Sequence, residues 1–269
     1  DFAVRSAEGA GRITMAHFGK VATERKGDGS EVTAADRDSE AYILAEIQQA
    51  FPQDGVLAEE GGVAASRSGR RWVIDPIDAT RSFASAVPLF GVLIALEDEG
   101  QPVLGCCHLP ALGETVVAAR GAGAWRNGER TRVSDVETLA DARLVTSGFE
   151  YWRDWATEGG RQGWDHLVGN TRFARTWGDC YGYLLVATGR AEIMADPATG
   201  SLWDFLPMIT ILEEAGGRFT TMGGEPVRPW STALATNGLV HDAAAAAWGA
   251  IERGDAAVQR PEVMARGQG

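Results

Sequence analysis

Histidine and cysteine are scarce in this 269-residue chain, which has four of the first and three of the second. The cysteines (Cys106, Cys107 and Cys180) are odd in number and two are adjacent, so no disulfide framework or zinc-ligand spacing is visible. A reducing, cytoplasmic setting is the expectation. His17, His108, His166 and His241 lie in unrelated contexts and read as structural or surface residues. Long apolar runs are missing too. The strongest, at residues 87–96, falls far short of the roughly 20 residues that a membrane span needs, and no charged-then-apolar signal pattern opens the chain. No membrane partner is expected. The chain starts at Asp1 rather than Met, which suggests that a short leader or tag has been trimmed. Positive charge is in deficit: 25 Lys and Arg stand against 37 Asp and Glu, a net charge of −12, with no basic cluster interleaved with aromatics. A nucleic-acid backbone would be repelled. A small phosphorylated ligand remains compatible, provided that cations offset both its charge and the protein's carboxylates.

What is present is a 45% apolar chain, enough to bury a sizeable core as one large domain or two fused lobes. Helical spacing predicts an opening helix over residues 2–18 and a second from Ala34 to the stop at Phe51-Pro52, separated by turn and loop at 20–30. Trp72-Val73-Ile74 reads as a short strand ending at Asp75-Pro76. Residues 91–96 and 103–109 read as buried strands, and 114–132 as strand-like with a hairpin signal at Asn127-Gly128. The texture changes after about residue 140: strands are expected at 142–146, 191–194 and 218–221, with helices at 181–188 and 205–215. Trp152, Trp155 and Trp164 are expected in a loop or cap, serving core or interface packing. The expected division is an α+β lobe at 1–138, an α/β lobe at 139–250 and a polar tail at 251–269.

The strongest local feature is Asp75-Pro76-Ile77-Asp78-Ala79-Thr80. Two carboxylates, the Ile77 carbonyl and a hydroxyl suit a hard cation, and the amides of Ala79 and Thr80 at a helix start suit phosphate. The same residues could also be an ordinary strand-to-helix turn with Asp as cap. Glu59-Glu60 is either a solvated turn or a contribution to the same cation, and Asp204 either an N-cap or a third ligand position.

In this order the motifs resemble the inositol monophosphatase family, over about residues 5–245. The likeness rests on Val32-Thr33-Ala34-Ala35-Asp36, Glu59-Glu60, residues 75–80, Trp203-Asp204 and Glu213-Glu214-Ala215-Gly216-Gly217. It implies a layered αβαβα sandwich of α/β class and a phosphomonoesterase using up to three Mg²⁺ ions. Mn²⁺ is the expected substitute, Li⁺ and Ca²⁺ are expected inhibitors, and the family is commonly homodimeric. By resemblance, Glu59, Asp75, the Ile77 carbonyl, Asp78 and Asp204 would hold metal, while Asp36 and Thr80 would orient the attacking water. Asp78, Ala79 and Thr80 would bind phosphate. The family usually has Gly at position 79, and Ala there would crowd the phosphate unless its φ stays negative.

Arg81-Ser82-Phe83 and Trp177-Gly178-Asp179-Cys180-Tyr181 resemble the histidinol-phosphatase branch. Ser82, Asp179, Asp196 and Asp204 are therefore the substrate-binding candidates. Asp179 would receive an ammonium or imidazolium group, or else cap the following helix. Where inositol enzymes carry a Glu seven residues before Asp204, this chain has Pro197, next to Asp196. A haloacid-dehalogenase-type site fails on the spacing of Asp75 and Asp78. A non-enzymatic module on the same fold is opposed by the full acidic set. An inositol or sugar phosphate, such as fructose bisphosphate, remains the alternative substrate.

Overall fold

A computed structural model describes residues 1–20, 24–25, 31–197 and 200–249; the expected polar tail at 251–269 lies outside the described residues. The described residues form two compact units, one from Asp1–Arg130 with Leu202–Ile211 and the other from Thr131–Ser201 with residues 212–249. The first carries α1 (Phe2–His17), β1 (Glu24–Arg25), β2 (Glu31–Val32), α2 (Ala34–Ala50), β3 (Gly55–Ala58), β4 (Val63–Ala64), β5 (Arg70–Asp78) and α3 (Thr80–Ala84). It continues through β6 (Gly91–Asp98), β7 (Gln101–Leu109), β8 (Glu114–Ala119), β9 (Gly123–Arg126) and β10 (Glu129–Thr131). The second carries β11 (Arg143–Val145), α4 (Phe149–Asp154), α5 (Glu158–Asn170), β12 (Phe173–Arg175), α6 (Asp179–Ala187) and β13 (Ile193–Asp196). Then come α7 (Leu202–Glu214), which begins in the first unit, β14 (Arg218–Thr220), β15 (Ala233–Thr236) and α8 (His241–Gly249).

In the first unit an eight-stranded sheet runs β10-β9-β8-β7-β6-β5-β3-β4, with β3 and β5 parallel and β5 through β9 antiparallel. Strand alternation assigns its faces. Trp72 and Ile74 point to the helix pair, where Ala3, Ala7 and Ala10 of α1 and Ile43 and Ile47 of α2 complete a buried cluster. Val73 points the other way and packs with Ala95, Leu57 and, from the start of α7, Leu202 and Leu206. Gly105 of β7 leaves space for the Pro207 carbonyl of α7, which a Cβ would strike. That packing assigns residues 202–211 to the first unit, and the unit boundary lies at 130/131 instead of 138. A contiguous division cannot represent a helix that returns to the first sheet.

In the second unit the sheet order is β12-β11-β13-β15-β14, with β11 parallel to β12 and β13, and β15 antiparallel to its neighbours. Leu144, Ile193 and Leu234 of the sheet meet Trp152, Trp164 and Trp248. Trp152 stacks on Trp164 at 4.6 Å between ring centroids and on Trp248 at 5.9 Å. The Trp-rich segment is therefore helical where loop or cap was expected: Trp152 lies in α4 and Trp164 in α5. Gly159, Gly160, Gly163 and Gly169 lower the intrinsic helix propensity of α5, and burial of its apolar face overrides it. The loop expected at 20–30 contains β1, which pairs antiparallel with β2. Among the described residues no helix is long and apolar enough to cross a membrane.

Candidate metal and phosphate site

The first unit gathers acid at the end of β5. Residues three apart on a regular strand face opposite ways, so Asp75 and Asp78 should diverge. A β-bulge reverses this: Asp75 pairs with Leu93 and Asp78 with Gly91, one residue more on β5 than on β6. Pro76 sits inside the bulge, where a missing N–H costs no ladder bond. The strand consequently runs on to Asp78 instead of ending at Asp75-Pro76. Oxygens from Asp75, Asp78 and Asp204 come within 4.8 Å of one another. Asp204 arrives on the first turn of α7, inside the helix rather than at its cap.

Electrostatics mark this group as suited to a cation. Asp75 is 2% exposed, and its carboxyl is pushed well above the usual range, first by burial and then by the charges of Glu59, Asp78 and Asp204. Glu59 also shares a side-chain hydrogen bond with Asp75. A hard divalent ion would relieve both the desolvation and the repulsion, and an all-oxygen donor set fits it.

Around the cluster, Asp75 Oδ1 accepts the Ile77 N–H at 3.0 Å, and the Thr80 hydroxyl donates to the Ile77 carbonyl at 3.1 Å. Ala79 is the N-cap of the short helix α3 with φ 66°, so the negative φ that Ala was expected to need is not the one it adopts. Ser82 lies half-buried on α3. Asp36 is buried at the start of α2, where Oδ2 accepts the Thr33 N–H at 2.8 Å and the Thr33 hydroxyl at 2.6 Å, a reciprocal capping box.

In the second unit Asp179 is the first residue of α6, and the cap position belongs to Gly178. Asp196, at the end of β13, is 1% exposed. Oδ1 accepts the Thr146 hydroxyl at 2.8 Å and the Ser147 N–H at 2.9 Å, and Oδ2 accepts the Ser147 hydroxyl at 2.6 Å. A carboxylate so enclosed is an internal acceptor, which departs from the substrate contact expected of Asp196. β13 runs to Asp196 itself, past the end expected at 194, and draws that side chain into the core.

The sequence matches the profile of the inositol monophosphatase family over residues 1–256. The chain belongs to that family. It is 44% identical over 217 residues to a histidinol-phosphatase of Chlorobaculum parvum, covering 80% of this chain and 82% of that protein. To a histidinol-phosphatase of Mycobacterium tuberculosis it is 36% identical over 244 residues, 89% of this chain and 94% of that one. Among solved structures, an IMPase of Thermotoga maritima superposes with a TM-score of 0.84 at 30% identity, covering 93% of this chain and 96% of that one. The protein is a phosphoric monoester hydrolase of this family, with the α/β layered fold that the motifs implied.

Two kinds of residue in this inositol monophosphatase relative carry no motif signal. Glu40 of α2 is 5% exposed and accepts the N–H groups of Glu60 and Gly62, pinning the turn that follows Glu59. Thr146 and Ser147 surround Asp196. Glu40 shares the buried side of α2 with Asp36 and Ser39 as well as Ile43 and Ile47, so no apolar stripe singles it out in the sequence, and Thr-Ser after a strand offers no hint either.

Proposed function

We propose that this enzyme hydrolyses L-histidinol phosphate to histidinol and phosphate, with Mg²⁺ held by Asp75, Asp78, Asp204 and Glu59 and by the Ile77 carbonyl. The observation that carries the metal reading is the Asp75 carboxyl, raised first by burial and then by three neighbouring acids, a combination that a divalent cation would relieve. Bound there, Mg²⁺ would acidify an attacking water and offset the charge of the transferring phosphoryl group. The protein's own residues do the rest. Thr80, whose hydroxyl proton is committed to the Ile77 carbonyl, turns its remaining lone pair to accept a proton of the water. Asp36, held by Thr33 through one oxygen, orients the same water. The N–H groups of Ala79 and Thr80 donate to phosphate oxygens, with the Ala79 methyl, held at φ 66°, crowding that side of the phosphate, and Ser82 contacts the substrate beyond them.

Asp179 receives the cationic group of the substrate by charge pairing. The two histidinol-phosphatase relatives support this choice of substrate, and the likeness to an IMPase favours inositol 1-phosphate as the second reading. Phosphate release from histidinol phosphate, inositol 1-phosphate and fructose 1,6-bisphosphate, each with Mg²⁺ and with EDTA, tests both levels. The expected result is EDTA-sensitive hydrolysis with a preference of about a hundredfold in kcat/KM for histidinol phosphate, roughly 2.7 kcal/mol of discrimination. Equal rates on the three would overturn the substrate, and EDTA-resistant release would overturn the metal.

A further inference from the structure

We propose that Ser147, locked by the buried carboxylate of Asp196, positions Asp179 and thereby sets the enzyme's preference for a cationic substrate. The inference rests on the reading of Asp179 as the cation acceptor and adds how that acceptor is held.

The seat of Asp179 is made through its backbone. Its N–H donates to Ser147 Oγ at 2.8 Å. The Ser147 hydroxyl proton points the other way, to Asp196 Oδ2 at 2.6 Å, so the oxygen offers Asp179 a lone pair of fixed direction. A serine hydroxyl normally rotates among partners; here a carboxylate fixes its orientation through a short charge-assisted bond. The Ser147 N–H and the Thr146 hydroxyl occupy Asp196 Oδ1, and Thr146 Oγ1 in turn accepts the indole N–H of Trp152 at 2.8 Å. The acceptor is thus tied into the tryptophan core rather than left on a loose loop.

Two backbone features show that this seat is tight. A Cβ on Gly178 would overlap Ser147 Cα and N, so the residue before Asp179 lies directly against the 146–147 backbone. Asp179 itself has φ 50°, a left-handed conformation that Asp tolerates better than most residues and that needs a compensating contact. The Ser147 hydroxyl supplies one. Burial raises the Asp196 carboxyl to about 7, and the negative charge of Asp179 adds to the rise while the Ser147 and Thr146 donors oppose it. The network therefore couples the charge of Asp196 to that of Asp179, and a cation paired with Asp179 favours both charges.

The test is the ratio of kcat/KM for histidinol phosphate to that for the uncharged-ring substrate inositol 1-phosphate, measured for the full chain with Mg²⁺. Ser147→Ala and Asp196→Asn are each expected to lower that ratio by about tenfold or more through KM for histidinol phosphate, since small misplacements of a binding group are costly. Ser147→Thr, which keeps the hydroxyl, is expected to restore most of it. A purely structural role would depress both substrates alike and leave the ratio unmoved, and that result overturns the proposal. If Ser147→Ala fails to fold, Asp196→Asn, nearly isosteric, gives the reading. Asp179→Asn separates the two levels. If it collapses the ratio while the Ser147 and Asp196 variants do not, the positioning role is wrong and Asp179 stands; if it leaves the ratio unchanged, Asp179 is not the acceptor and the inference falls with it.

Discussion

The carboxylate of Glu40 accepts the backbone N–H of Glu60 at 2.7 Å, a bond that joins the middle of α2 to the turn carrying Glu59. Its second oxygen takes the Gly62 N–H at 3.0 Å, so one buried side chain closes the turn from both sides. Replacing it with alanine should free the turn and loosen Glu59 beside Asp75 without removing any proposed ligand. The expected effect of Glu40→Ala is a 10- to 100-fold loss of Mg²⁺ affinity, the range seen when partners of metal ligands are removed. Calorimetric titration of Mg²⁺ checks this; unchanged affinity would show that Glu59 is held by something else.

Ala79 should be improvable. A non-glycine residue at φ 66° costs roughly 1–2 kcal/mol, of which glycine returns about half after its larger loss of chain entropy. Ala79→Gly is expected to raise unfolding stability by about 0.5–1 kcal/mol, read as a shift in the denaturant midpoint. A lower midpoint would mean that the methyl packs usefully.

The acidic cluster implies a metal-dependent pH profile. The Asp75 carboxyl is raised in the fold, so the metal-free protein binds more protons folded than unfolded above the ordinary carboxylate pKa. Its contribution to stability is full below that pKa and declines as pH rises. Mg²⁺ should remove the decline and bind more tightly at pH 8 than at pH 5. Thermal melts with Mg²⁺ and with EDTA at the two pH values measure it. A melting temperature shift by Mg²⁺ that is equal at both would contradict a proton-competing site.

His241 gives the opposite sign. Its ring is fully buried between Thr220 and Thr236, and burial lowers its pKa to about 4. Thr220 donates its hydroxyl to the Thr221 carbonyl, so it accepts from His241 Nε2–H, and Nδ1 accepts from Thr236. The neutral ring contributes stability above the unfolded pKa near 6.5 that is lost as pH falls toward 4, at most about 3 kcal/mol. His241→Gln should flatten the difference in unfolding free energy between pH 7 and pH 4.5; an unaltered slope would assign the acid sensitivity to carboxylates.

Trp164 is 6% exposed and stacked on Trp152. Trp164→Ala is expected to cost about 3–5 kcal/mol by chemical denaturation, because the cavity opens inside the second core. A cost under about 1 kcal/mol would place the indole at a yielding edge.

The sequence alone carried the family, the motif acids Asp75, Asp78 and Asp204 that the fold brings together, and most of the elements. Helical spacing up to the Phe51-Pro52 stop marked α2, continuous apolar runs marked β6 and β7, and the order of Asp36, Glu59, Asp75, Asp78, Thr80 and Asp204 carried the likeness to the family, because local propensity and short-range spacing are written in neighbouring residues. Tertiary structure decided what depends on partners distant in the chain. The β5 bulge exists because β6 pairs with one residue fewer, and it alone turns Asp75 and Asp78 to one side. Leu202 and Leu206 return α7 to the first sheet, α4 and α5 form because Trp152 and Trp164 have a core to enter, and Asp196 becomes an internal acceptor because Thr146 and Ser147 lie on an adjacent strand end. Each of these was settled by burial and pairing energies between segments far apart in sequence, which outweigh the local preferences that a sequence displays.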